Sequence, residues 1–302
     1  MAISRAQMMK ELLPGLNELF GLEYGSYENE HEDVYEMESS DRAFEEEVQL
    51  SGFGAAPVKA EGSAIAYDTA QEVFTARYNH ETVALGFSIT EEAIEDNLYD
   101  SLSARYTKAL ARGAANTKQV KAAFPLNNGF TTFNSGDGST LFGDHNLVSG
   151  GVNRNQPSIP SDLNELSLEQ AVIDIAAFTD QRGLKIAARA RRLIVPPELM
   201  FVATRILDTE LRVGTADNDI NALRTNGVIP EGYRVNHYLT DGQNDAWFLI
   251  TDVPNGMKGF TRSPMSTSMD GDFDTGNVRY KCRERYSFGV SDPLGIYGSS
   301  GA

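Results

Sequence analysis

Residues 48–53 (VQLSGF) and 83–89 (VALGFSI) alternate apolar and polar side chains as strands do, and the second run leads straight into a helical pattern from Thr90 to about Phe124. The segment between the two runs is rich in Ala, Gly and Pro, so Val48 to Ile89 reads as a two-stranded arm leaving the body. Such an arm, roughly 40 Å long at about 3.3 Å per residue, cannot bury its own faces. Isolated hairpins are marginal in water, so the partner surface is expected on another molecule.

The helix predicted next is unusually long, roughly 50 Å at about 1.5 Å per residue. Thr90 is placed to cap it, with Glu91, Glu92 and Glu95 at the end where the helix dipole favours negative charge. Ile94, Leu98, Leu102, Tyr106 and Leu110 form an i, i+4 stripe, and Arg105, Lys108, Arg112, Lys118 and Lys121 follow in the later turns. Pro125 is expected to stop it.

With 302 residues and 41% hydrophobic content the chain can bury a substantial core, and two lobes are expected. It has no run of about 18 apolar residues, and its first residues lack the pattern of a secretory signal, so it reads as soluble and made in a cytoplasm. The single cysteine, Cys282, excludes an internal disulfide and a thiolate zinc cage, and reads as a buried strand residue. The net charge is −17, and the first 50 residues carry 13 acidic side chains against Arg5, Lys10 and Arg42. That balance disfavours sequence-independent nucleic-acid binding, which needs Lys and Arg to neutralise phosphates. The acidic stretch Glu23 to Glu47 has two readings: a solvated segment, or a strap held by basic patches on a neighbouring subunit. Candidate patches are Arg182 to Arg192 and Arg279 to Arg285, and the interspersed Tyr24, Tyr27, Tyr35 and Phe44 favour docking.

Elsewhere, residues 1–22 read as a short helix ended by Pro14-Gly15 and a second apolar turn. A Gly/Asn/Ser-rich region, 127–162, reads as loop with small strands. Helices are expected over Leu163 to Gly183 and 198–211, and strands over 192–196, 233–239, 247–250 and 278–290. One long helix, a few shorter ones and these late strands define an α+β class.

Catalytic signatures are weak. His31, His80, His145 and His237 are scattered without metal-ligand spacing, and no phosphate loop or nucleophile elbow occurs. Asp144-His145 reads as a loop anchor, and GFGAAP (Gly52 to Pro57) has Pro where a dinucleotide loop needs its third Gly. DGDFDTGN (Asp270 to Asn277) reads as a hairpin turn rather than a calcium loop, because Lys281 stands where the last Glu should be. Lys59, alone at the arm tip, is expected to form a salt bridge rather than a covalent link to an Asn. No enzyme activity, cofactor or metal is expected.

The order of parts resembles the major capsid proteins of tailed bacteriophages, and most of all the major head subunits of Mu-like phages. It consists of an acidic N-terminal arm, an extended loop, a long helix entered through GFSITEEAIEDNLY (Gly86 to Tyr99) and a strand-to-helix step RRLIVPPEL (Arg191 to Leu199). LFGDHN (Leu141 to Asn146) and YSFGVSDPLGIYG (Tyr286 to Gly298) are similar to phrases of that group. The resemblance implies the Hong Kong 97-like capsid fold. Its parts would be an N-arm (1–47), an extended loop (48–89), a peripheral domain (90–189) around the spine helix 90–124, an axial domain (190–260) and strands 261–302 returning to the peripheral domain. It also implies a non-catalytic subunit that assembles with itself, as pentamers and hexamers, into an icosahedral shell enclosing viral double-stranded DNA. The location would be the virion, with assembly in the host cytoplasm. Only about 47 residues precede the arm, so a separate scaffolding protein is expected, together with a portal. Phe53, Lys59, Tyr67, Arg77, Arg105, Arg112, Arg189 and Arg191 are the candidate inter-subunit contacts. The alternatives are an encapsulin-like compartment shell, which shares the fold, and an acidic hydrolase, for which no carboxylate pair is evident.

Overall fold

The computed structural model describes residues 5–90, 99–211, 220–239, 245–271 and 276–301. Helix α1 (Arg5–Gly25) runs on through Pro14, where the sequence suggests a break. An interior proline costs about 3 kcal/mol, but Leu16 and Phe20 are buried against Leu110, Ala111 and Ala114 of the long helix, which holds the helix together across it. Strands β1 (Glu36–Ser39), β2 (Phe44–Leu50), β3 (Glu72–Asn79) and β4 (Glu81–Ile89) follow.

The arm is paired differently from the expectation. β2 is antiparallel to β3, from Phe44 opposite Asn79 to Leu50 opposite Glu72, so 83–89 is not its return strand. A period of two identifies a strand and its faces, not its partner. The chain turns sharply between β3 and β4 at His80, whose ring nitrogens contact Ser40 Oγ at 2.9 Å and Ser287 Oγ at 3.0 Å. This turn sends β4 into another sheet.

Helix α2 (Tyr99–Asn128) is 30 residues long. Its expected capping acids, with Ile94 and Leu98, fall outside the described residues. Leu110 is buried as predicted, but Tyr106 is largely exposed and packs on Phe87 with ring centroids 5.7 Å apart. Pro125 does not stop the helix. Ala122, Ala123 and Leu126 are buried with Tyr35, Phe142 and Phe248, and the end comes at Asn128, whose carbonyl accepts from the amides of Thr131, Thr132 and Phe133. A small hairpin follows, β5 (Asp144–Asn146) and β6 (Val152–Arg154), and then helix α3 (Glu165–Ala176), capped by Asn164 and shorter than predicted.

Strand β7 (Ala190–Val195) carries consecutive Leu193, Ile194 and Val195, all fully buried, as a central strand covered on both faces requires. Leu193 and Val195 pack with Leu168, Ala171 and Ile175 of α3, while Ile194 packs with Leu126 and Phe142 towards α2. Short helices α4 (Met200–Leu207) and α5 (Ala222–Thr225) precede β8 (Tyr233–Val235) and β9 (Trp247–Thr251). β10 (Met257–Gly271) and β11 (Val278–Val290) form a long antiparallel pair up to Gly271 opposite Val278. Residues 272–275, on which the hairpin-turn reading of Asp270 to Asn277 falls, lie outside the described residues. Cys282 is buried within β11, as expected.

Two four-stranded sheets result. One runs β1-β10-β11-β4; the other runs β12-β9-β7-β8, where β12 (Ile296–Ser299) comes from the far end of the chain. The last segment therefore serves both sheets, not one. Between them Gly256, just before β10, and Gly295, just before β12, cross at contact distance: a Cβ on Gly295 would lie 2.2 Å from the Cα of Gly256.

Candidate assembly surfaces

The strand-paired part of the arm ends at Ser51, whose amide donates to Gln71 O at 2.9 Å while its hydroxyl accepts from the Gln71 amide. Beyond this point the loop leaves the body with its apolar side chains in solvent. Phe53 is 61% exposed, Val58 100%, Ile65 67% and Tyr67 94%, and Lys59 is exposed beside them. The chain's own core covers none of these. Asp68 is the polar centre of the loop. It accepts from the amides of Gly54 and Thr69 and from Arg182 Nη2, and these donors, Gly54 first, hold its carboxyl down at about 2.

The acidic N-terminal segment behaves in the opposite way, since it is clamped to its own subunit. Asp33 pairs with Arg192 at 2.8 Å and with Arg234 at 3.4 Å, and Glu30 meets His237 Nδ1 at 2.7 Å. Lys258 places its ammonium, 6% exposed, 3.2 Å from both Glu38 and Glu47. Burial alone would lower the Lys258 pKa, but the two carboxylates raise it above the ordinary lysine value. His31 is buried, and Gln119 bonds both its backbone and its ring. Burial and the nearby Lys118 push the His31 pKa down to about 4. Neither sequence reading of this segment describes these contacts as it stands: the segment is docked rather than solvated, but the basic residues that hold it here belong to the same chain.

The candidate contact residues fall into three groups. Phe53, Lys59 and Tyr67 lie together on the projecting loop. Arg105 and Arg112 are exposed along α2. Of the other three, Arg77 is on β3, Arg191 on β7 and Arg189 just before β7, and two of them are engaged within the subunit. Arg77 stacks over Phe44 at 4.0 Å and lies 3.7 Å from Glu46, while Arg191 pairs with Glu231 at 2.6 Å. Sequence reasoning missed Asp68 and its bond to Arg182. It also missed a groove of about 370 Å³ beside α2, where Val120 and Phe124 are exposed and Arg77, Lys121 and Tyr286 form walls. The i, i+4 spacing of Val120 and Phe124 was a readable signal for that groove.

Asp144 and His145 point to different partners, as strand alternation requires. Asp144 takes the Arg154 guanidinium at 2.5 and 2.8 Å, and His145 Nδ1 meets Asp137 Oδ2 at 2.7 Å. Burial works against the Asp137 carboxylate, yet bonds from His145 and Ser135 bring its pKa to about 2. The pair anchors the loop, as read from the sequence. Asn155, also unforeseen, is fully buried and ties this loop to the C-terminal segment through Leu141 O, Pro293 O and Ile296 O.

The whole fold is shared with known shell proteins. A virus-like particle from Pyrococcus furiosus superposes with a TM-score of 0.56 at 9% identity, over 95% of this chain and 98% of that one. The capsid of Myoviridae phage XM1 gives 0.52 at 12%, over 89% of each chain. The capsid of an empty GTA particle gives 0.52 at 14%, over 90% and 89%. At such identities the likeness speaks for the fold alone, which is the Hong Kong 97-like shell-subunit fold. No curated protein matches the sequence. The chain itself belongs to the phage capsid protein family, whose model matches residues 72–299. It is accordingly a capsid shell protein with a structural role in the virion; these relatives do not single out the Mu-like branch.

Proposed function

We propose that this chain is the major head subunit of a tailed bacteriophage, closing as pentamers and hexamers into an icosahedral shell around double-stranded DNA. In this reading 1–47 is the N-arm, 48–89 the extended loop with β4 leading back into the body, 90–189 the peripheral domain, 190–260 the axial domain and 261–302 the strands returning to the peripheral domain, except β12, which joins the axial sheet. The observation that carries it is the projecting loop, whose Phe53, Val58, Ile65 and Tyr67 stand in solvent although each gains about 1.5–3 kcal/mol when fully buried. A neighbouring subunit in the shell would cover this surface in the working state. The net charge of −17 fits a container whose packaged DNA must remain releasable. Phe53, Lys59, Tyr67, Arg105, Arg112 and Arg189 are assigned to contacts between copies, with Arg77 and Arg191 at the edges of those contacts. A separate scaffolding protein and a portal complete the assembly, which takes place in the host cytoplasm.

Deleting Gly52 to Tyr67 tests the reading. The expected product is a folded subunit with an unchanged thermal midpoint that forms no closed shells by negative-stain electron microscopy and light scattering. Normal particles from the deletion would overturn it. Co-expression with neighbouring genes then separates a virus shell, which takes up DNA through a portal, from an encapsulin-like compartment, which encloses a cargo protein.

A further inference from the structure

Between the strand-paired root of the arm and its free tip, one side-chain bridge to the body is visible among the described residues. Arg182 Nη2 stands 2.8 Å from both Asp68 oxygens. The same carboxylate takes the amide of Gly54 at 2.8 Å, so it joins the two limbs of the loop across 14 residues before Arg182 joins both to the body. Arg182 is itself set in a rigid turn. The Asp180 amide donates to Leu184 O at 2.7 Å, Asp180 Oδ1 accepts from the amides of Arg182 and Leu184, and Gly183 takes the positive φ of 82° that the turn needs. Past this bridge, 55–67 carries only a local turn in which the Ser63 amide donates to Ala60 O.

We propose that Arg182 and Asp68 form a latch that sets the direction in which the arm leaves its own subunit, so that Arg182 is a positioning residue for the contact the tip makes with the next copy. The inference rests on the reading that the arm meets a neighbour. Holding the root reduces the conformations the arm must give up when it docks, which is how preorganisation strengthens binding. The pair is partly exposed, with 29% of the Arg182 and 42% of the Asp68 side chain accessible. Exposed pairs of this kind bias a population by about two- to fivefold and do not lock it. The arm is therefore guided, yet remains free to adjust to its neighbour.

The test compares Arg182→Ala, Arg182→Lys and the Gly52–Tyr67 deletion in the full chain, each checked for an unchanged thermal midpoint. Shell closure is followed by light scattering. In the unassembled subunit, release of the arm is followed by trypsin cleavage at Lys59. Arg182→Ala should slow closure about two- to fivefold and speed cleavage by a similar factor. Arg182→Lys should recover most of both, and the differences should shrink towards 1 M salt, where the Debye length is about 3 Å. Wild-type closure or wild-type cleavage in Arg182→Ala overturns the latch alone, and so does faster closure. Normal shells from the deletion overturn the arm reading and the latch with it.

Discussion

Two neighbouring stretches of this chain have exchanged the roles their compositions suggest. Glu30 to Glu47 is a run of carboxylates, yet it is bound to the body through Arg192, His237 and Lys258, and it adds β1 parallel to β10. Ala55 to Tyr67 carries apolar side chains, yet it is the part that stands in water. Each composition is matched to a different counterpart. The acidic segment has its counter-charges on its own fold, whereas the apolar tip lacks a receptor there.

The sharpest way to break this contrast is to make the tip polar. Replacing Phe53 and Tyr67 together by Ser should leave the thermal midpoint unchanged but lower shell yield at fixed concentration by about a hundredfold or more. That factor follows from two aromatic burials at about 1.5 kcal/mol or more each. A loss of subunit stability would mean the tip packs on its own body.

Acid should act on the other region. His31 titrates at about 4 in the folded chain and near 6.5 when unfolded, so between these values the unfolded chain binds more protons. The stability His31 contributes is present above pH 6.5 and lost as pH falls to 4, by up to about 3 kcal/mol. Urea titrations across that range should show the loss, and His31→Gln should flatten it. Lys258→Met is the next smaller break, about 2 kcal/mol, because Glu38 and Glu47 lose their shared cation but recover some hydration. The smallest effect on folding is expected for Arg105→Glu, within about 0.5 kcal/mol for an exposed helix position. It should still slow shell closure severalfold, and equal losses in both would place Arg105 in the fold rather than in assembly.

Local pattern made much of the architecture legible. The apolar run Leu193 to Val195, the period of the long helix and the span 278–290 each reflect a side-chain repeat that the backbone must obey. Pro14 and Pro125 misled because burial of Phe20 and Leu126 decided the helix ends, and burial depends on residues about a hundred positions away. The partner of β4 was hidden for the same reason: Leu85 lies opposite Cys282, and nothing near Leu85 specifies that register. Of the candidate contacts, the loop residues and the α2 arginines are exposed as an interface requires. The ion pair between Asp68 and Arg182 joins two unremarkable charges 114 positions apart, and it becomes visible only when the chain is folded.

The crossing of Gly256 and Gly295 bears on how a shell of such subunits can bend. Backbone touches backbone there, with no side chain between to be exchanged for a longer or shorter one. The angle between the two sheets therefore lies beyond the reach of ordinary substitution, and a closed surface built from many copies must take up its differences in curvature in the segments that leave the body.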